Sequence, residues 1–313
     1  MPLPPRTTPR RLGWPAVRTV AGLAIGLACL ALLVYDLDLG EVQQAFRSAD
    51  LPWVALAFLL IGATLFTRTL RWQVLLAGKH APFARVWRAL LAGQMANVVL
   101  PARGGDVVRA VLLAGESGGG AAQALASVAA EKVWDLLALA ATAAGLLVLG
   151  TLPQWFTEPL RVLFVALAVG LPPVLAVLLW RARLLSWLRM RLARWESRWA
   201  GRLVSLLESL ADGLDSLRRP AIAAQAALWT AATWALGAAA NWAAMRSFGV
   251  ASWPAATFLL AVLMAGLAVP TTPARLGVFE GLCVLALGTF GVPTGLALAI
   301  GLVLHAVVLL PPA

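Results

Sequence analysis

Continuous apolar runs follow one another along almost the whole chain, and they decide what it can fold into. They cover residues 17–35, 51–67, 89–100, 107–114, 121–149, 162–180, 221–245, 253–269, 278–290 and 293–310. In hydrocarbon, backbone amides and carbonyls have no water to bond, so a spanning segment must be a helix or part of a closed barrel. Barrel strands alternate apolar and polar residues, and these runs do not alternate. Several approach or exceed the roughly 20 residues that cross a bilayer as a helix. Charged residues make up only 12% of the chain, against roughly a quarter in a soluble domain. The expected fold class is all-α, a polytopic helical membrane protein.

The basic residues indicate which side each connection faces. Arg6, Arg10, Arg11 and Arg18 precede or open the first run without an acid, whereas Asp36, Asp38, Glu41 and Asp50 follow it against Arg47. Arg68, Arg71, Lys79, Arg85 and Arg88 follow the second run, again without an acid. Cytoplasmic loops collect Arg and Lys, so the N-terminus is predicted cytoplasmic, the first loop external and the second cytoplasmic. Run 17–35 has no small-residue cleavage site and reads as a retained helix. The net charge of +11 lies between apolar runs and not in one patch, which argues against a nucleic-acid partner. Cys29 and Cys283 sit singly in apolar runs and suit neither a disulfide framework nor a metal site.

Two runs are interrupted in the same way. Leu100-Pro101-Ala102-Arg103-Gly104-Gly105-Asp106 and Pro270-Thr271-Thr272-Pro273-Ala274-Arg275-Leu276-Gly277 each combine Pro-Ala-Arg with a following glycine. Run 89–100 has about a dozen residues, roughly 18 Å of helix, too short for a roughly 30 Å hydrocarbon core. Pro101, Gly104 and Gly105 break the first segment, and Pro270, Pro273 and Gly277 break the second. Two re-entrant helical hairpins are therefore predicted, one in each of two pseudo-symmetric halves. Broken helices at corresponding positions of two halves point to a transporter's binding site.

Residues 181–219 carry nine arginines and four acids. Leu184, Leu188, Leu192, Trp195, Trp199, Leu203, Leu206 and Leu210 recur at steps of three and four, one helical face. This is the pattern of an amphipathic helix at a membrane surface. One integral membrane domain, 1–313, is expected, with a first half 1–180, a cytoplasmic linker helix 181–219 and a second half 220–313.

Charge at membrane depth marks a pathway or a paired network. Arg103, Arg109, Lys132 and Arg275 balance Asp106, Glu131, Asp135 and Glu280. Asp106 and Arg109, three apart, share a helical face, as do Glu131 and Asp135, four apart. Two carboxylates on one face need a cation or a proton between them, and Arg103, Arg109 or Arg275 is a candidate. Arginine beside free backbone N–H groups suits a phosphate. Arg103, Arg109 and Arg275, with Gln94 and Asn97, are the candidate substrate-binding residues; Asp106, Glu131, Lys132, Asp135 and Glu280 balance charge or carry protons. Asn97 is placed to bond backbone groups that Pro101 frees. An ion network that only holds the hairpins together is the alternative. Ser127, Thr271, Thr272 and Asn241 are also read as helix-packing hydrogen bonds. His305, with no acid nearby in sequence, is not read as a metal ligand.

These motifs resemble those of the lysylphosphatidylglycerol synthase transmembrane-region family, also described as flippase-like or UPF0104. Residues 97–109 are similar to its N-x-x-(L/F)-P-x-(R/K)-x-G-(E/D)-x-x-R signature. Ser127 to Asp135 is similar to S-x-x-x-E-(R/K)-x-x-D, and Pro270 to Glu280 to P-x-x-P-G-x-(L/I)-G-x-x-E, with Ala274 at the usual glycine. Arg71-Trp72, read here as part of the second cytoplasmic loop, also fits. The resemblance implies a bacterial inner-membrane protein like the flippase part of lipid-aminoacylating proteins. The chain has neither the length nor the composition for their soluble transferase domain, so aminoacyl transfer is not expected.

The expected function is translocation of an anionic or aminoacylated phospholipid, or another lipid-linked substrate, without enzymatic activity or cofactor. No G-x-x-x-x-G-K-(S/T) motif for direct ATP drive occurs in the sequence. Membrane lipids are the expected partners, and a homo-oligomer or a membrane partner stays open. A membrane-embedded lipid transferase or hydrolase with Glu131 or Asp106 as base, and a scaffold subunit, are the rivals.

Overall fold

The computed structural model describes residues 39–76, 81–99, 104–117, 120–150, 152–180, 219–266 and 273–310, with single positions 28, 183, 186, 187, 190 and 191. These residues hold ten α-helices and no strand. The helices are α1 Leu39–Ser48, α2 Leu51–Leu75, α3 Phe83–Val99, α4 Gly104–Ser117, α5 Gly120–Val148, α6 Gln154–Leu179, α7 Pro220–Arg246, α8 Trp253–Gly266, α9 Val278–Gly288 and α10 Thr294–Leu309. A 3-10 turn, Pro273–Arg275, precedes α9. Run 17–35, Pro101, Arg103, Pro270, Thr271, Thr272 and most of the linker 181–219 lie outside the described residues.

Helix α2 departs most from the sequence reading. Pro52 sits in its first turn, where a missing N–H costs nothing. No second proline follows in the helix, and no glycine lies between Gly62 and Gly78, so the helix continues eight residues beyond Thr67. Arg68, Arg71 and Trp72, assigned by charge to a cytoplasmic loop, are therefore helical, and Arg71 and Trp72 are fully buried. Among the described residues α2 alone is both long and apolar enough to cross a membrane by length and composition. Two smaller corrections concern connections. The acidic first loop contains the short helix α1, and α6 begins at Gln154, eight residues before the run 162–180.

The long helices α2 and α7 pack antiparallel along most of their length. Asp50 N–H donates to Ser247 O at 2.8 Å near one end, and the hydroxyls of Thr67 and Thr233 meet at 2.8 Å further along. Small buried residues of α7, including Ala226, Ala240 and Ala244, keep this helix slim. Close van der Waals packing and interhelical hydrogen bonds are what associate helices where lipid is as apolar as leucine.

Short helices come in two packed pairs, α3 with α4 and α8 with α9. They have 17, 14, 14 and 11 residues, roughly 17–26 Å of helix each and short of a roughly 30 Å core. The first pair touches through backbone. A Cβ on Gly105 would collide with the Gly93 carbonyl oxygen, and one on Gly93 would lie 2.8 Å from the Gly105 oxygen. Gly104 and Gly105 are thus not in the interruption: they form the first turn of α4. The order long helix, short pair, helix occurs as α2, α3–α4, α5 and again as α7, α8–α9, α10. The 3-10 turn before α9 packs against α3, so the second interruption meets the first pair.

Candidate functional site

An ion network joins α2, α4 and α5, with Glu131 at its centre. Glu131 is fully buried; its Oε1 accepts from Arg71 Nη2 at 2.9 Å and its Oε2 from Arg109 Nη1 at 2.8 Å. Arg71 Nη1 also donates to Asp135 at 2.7 Å and to the Thr230 hydroxyl of α7 at 3.3 Å. Arg71 is therefore the cation between the two carboxylates that share a face of α5. Sequence reasoning missed it, because its partners lie 60 and 64 residues further on. The signal was present as two patterns to be matched: basic residues at 68 and 71, and acids at 131 and 135.

Asp106 holds the other side. It pairs with Arg109 Nη2 at 3.1 Å and with Lys132 Nζ at 3.3 Å. The Arg109 guanidinium lies over the Trp72 ring, 4.8 Å from its centroid, and Trp72 Nε1 donates to the Ser127 hydroxyl at 2.9 Å. Asn97 Oδ1 accepts from Gly105 N–H at 2.9 Å, so this side chain satisfies a donor of the first turn of α4. Arg68 is the least compensated cation of the described network. Its nearest carboxylate oxygen, Glu131 Oε1, is 3.7 Å away and already accepts from Arg71. With the Gln94 amide oriented by its surroundings, the Gln94 oxygen accepts from Arg68. In this network Arg68, Arg71, Arg109 and Lys132 interleave with Asp106, Glu131 and Asp135.

The second interruption is bound differently. Ala274 and Arg275 both have left-handed backbone, with φ of 51° and 61°, and Gly277 follows with φ of 78°. Left-handed backbone costs a residue with a Cβ roughly 1–2 kcal/mol. That gives a physical reason for glycine as the family's usual residue at 274. Ala274→Gly is expected to stabilise the chain by about 0.5–1 kcal/mol, read as a raised unfolding midpoint in detergent; a lowered midpoint would refute the strain. Glu280 Oε2 accepts from Gly277 N–H at 2.8 Å, half of a capping box at the start of α9. Glu280 Oε1 lies 2.6 Å from His305 Nδ1, and His305 Nε2 lies 2.9 Å from the Ala274 carbonyl oxygen. His305 thus has an acid beside it, delivered by the packing of α9 on α10 across 25 positions.

One cavity of about 430 Å³ is bordered by Asn97, Val98 and Asp106, which flank the first interruption, and by Ala274 and Arg275 of the second. Its polar lining includes Arg68, Gln94, Asn97, Asp106, Lys132, Asp135, Arg275 and His305, with Thr64, Thr233 and Asn241 as uncharged members. Apolar lining comes from Ile61, Leu65, Leu136, Leu139, Leu260 and Leu263. Along α2 the lining changes from Arg68 to Ile61, and along α5 from Lys132 and Asp135 to Leu139. Because α2 and α5 run antiparallel, both changes point the same way. One end of the cavity is charged and the other is apolar.

The expected site residues divide accordingly. Gln94, Asn97, Asp106, Lys132, Asp135 and Arg275 line the cavity. Arg109, expected at the substrate, does not line it: its side chain is buried between Glu131, Asp106 and Trp72. Glu131 and Glu280 stand behind the wall, and Arg103 lies outside the described residues. Arg68 and His305 are the additions that the structure makes.

An all-helical bundle of apolar helices, with short paired helices and a buried ion network, defines a class, the integral membrane domains. Within it, the chain belongs to the lysylphosphatidylglycerol synthase TM region family, whose model matches residues 19–313. Its relatives include the glycosyltransferase AglD of Haloferax volcanii, 33% identical over 134 residues. That match covers 42% of this chain and 22% of the relative. A UPF0104 membrane protein of Methanothermobacter thermautotrophicus is 30% identical over 117 residues, 36% of this chain and 35% of the relative. The matches thus span about a fifth and about a third of these relatives' lengths.

Proposed function

We propose that the chain is a flippase-like transporter that carries an amphiphile with an anionic, phosphate-bearing headgroup between membrane leaflets. The cavity carries this reading: its charged end presents Arg68, Lys132 and Arg275 beside neutral donors on Gln94 and Asn97, and its apolar end suits a hydrocarbon tail. Guanidinium groups bind phosphate through paired hydrogen bonds. Phospholipids, aminoacylated phospholipids and other lipid-linked phosphates share this chemistry. The two short helix pairs are read as re-entrant hairpins related by pseudo-symmetry, meeting where the turn before α9 touches α3. The N-terminus is read as cytoplasmic and the membrane as a bacterial inner membrane.

Transport fits the site better than catalysis. Glu131 and Asp106, the bases of the catalytic rival, are held by Arg71, Arg109 and Lys132. Held in this way, a carboxylate orients a cation and is poorly placed to remove a proton.

The test is reconstitution into vesicles with fluorescent anionic, aminoacylated and zwitterionic phospholipids in separate arms. Arg68→Gln and Arg275→Gln are each expected to slow movement of the preferred lipid about tenfold or more. That corresponds to losing a charge-assisted hydrogen bond of roughly 1.5–3 kcal/mol. Unchanged rates in a folded double variant would remove the reading.

A further inference from the structure

The His305–Glu280 pair has no part in the cation site, yet its hydrogen bonds fix a proton count. His305 is 4% exposed and Glu280 1%. His305 stacks on Phe279, ring centroids 4.5 Å apart and planes 16° apart, so the imidazole cannot turn freely. Nε2 faces a carbonyl oxygen, which only accepts, so Nε2 must carry a hydrogen. Nδ1 faces Glu280 Oε1 at 2.6 Å, and that contact needs one proton, on the ring or on the acid.

With this proton the pair is neutral overall and every contact is a hydrogen bond. Without it, a neutral ring has a single N–H. Either Nδ1 or Nε2 then turns a lone pair on an oxygen within 2.9 Å, beside an uncompensated buried carboxylate. A second added proton has no acceptor, because both Glu280 oxygens already meet nitrogen donors. The arrangement is built for one exchangeable proton.

What the proton holds together is the second interruption. The three bonds tie α10, through His305, to the Ala274 carbonyl and to Glu280, and Glu280 in turn to Gly277 N–H. Ala274 and Arg275 are the left-handed residues, and the Arg275 side chain lines the cavity. We propose that His305 and Glu280 form a one-proton latch that closes the second interruption against α10, and that releasing this proton lets the turn relax and re-aims Arg275. The proton leaves from the pair to solvent entering the cavity, and the pair becomes a net anion. Charged groups that border the same cavity are Arg275 in the turn, Arg68 on α2, Asp106 on α4, and Lys132 and Asp135 on α5. From α7 the lining is uncharged, with Thr233 and Asn241. Coupling of the latch to substrate movement rests on the transport reading; the latch does not.

Amide hydrogen exchange of residues 274–281, in the full chain in nanodiscs from pH 5 to 10, tests it. After correction for the intrinsic pH dependence of exchange, protection of this segment is expected to fall about tenfold per pH unit above an inflection. That is the slope of an opening that releases one proton. Amides of α2 near Leu65 provide the flat reference. Glu280→Gln keeps an oxygen for Gly277 N–H and offers an amide donor to His305 Nδ1, so it imitates the protonated pair at every pH. Its protection should be high and flat. A flat wild-type profile overturns the latch even where the variant does not fold, and an unchanged slope in folded Glu280→Gln overturns it too. In vesicles that move the anionic lipid, the variant should also lose the pH dependence of the rate. Vesicles that move no lipid count against transport and leave the exchange result to judge the latch.

Discussion

Glu131→Gln is expected to destabilise the folded chain by about 3–5 kcal/mol, the range for removing one partner from a buried ion network. The carboxylate is fully buried and gives one oxygen to Arg71 and the other to Arg109. A glutamine amide offers one oxygen and an NH₂ group, so one of the two guanidinium groups would face donors. The cost is that of an unpaired buried cation, not of one lost bond. Asp135→Asn is the comparison. Its side chain is 30% exposed and touches Arg71 through one contact, so about 1 kcal/mol is expected. Equilibrium unfolding in mixed micelles measures both. A loss under about 1 kcal/mol for Glu131→Gln would mean that the network adds little to the fold.

Gly105→Ala is expected to part the first helix pair. The new methyl would collide with the Gly93 carbonyl oxygen and lie 2.7 Å from the Asn97 amide carbon. The first of these is backbone and cannot move without moving α3. Overpacking of this kind costs about 1–3 kcal/mol. It also displaces Gly105 N–H from Asn97 and carries Asn97 and Gln94 away from the cavity. Stability and lipid movement should therefore fall together. Gly62→Ala is the control: an added Cβ there meets nothing within 4 Å, so helix propensity alone should make it neutral or stabilising by up to about 1 kcal/mol.

Comparing the sequence with the structure shows where local information stops. Helix boundaries were legible where a breaker coincided with the end of an apolar run, as at Pro220, Trp253 and Val278. They were not at Thr67, because a basic cluster after an apolar run reads as a loop whether or not its charge is paired. Arg71 is paired, but its acceptors come from α5. The same holds for His305, whose acid arrives only when α9 folds onto α10. Asn97 was readable as a side chain bonding nearby backbone, but its partner is Gly105 N–H in the first turn of α4 and not a group that Pro101 frees. Arg109 was readable as a buried ion but not as a wall residue: which side of α4 faces the cavity depends on where α3 and α5 pack.

The α2–α7 pairing limits how such a domain can work. It joins the first half to the second by backbone, hydroxyl and aromatic contacts, including Trp53 against Trp242 at 5.3 Å. Rocking the halves as rigid bodies would have to shear this seam from end to end. Among the described residues, the main contact between the short pairs is that of one turn with α3. On the transport reading proposed above, a cycle would keep this spine fixed and move the short helix pairs against it.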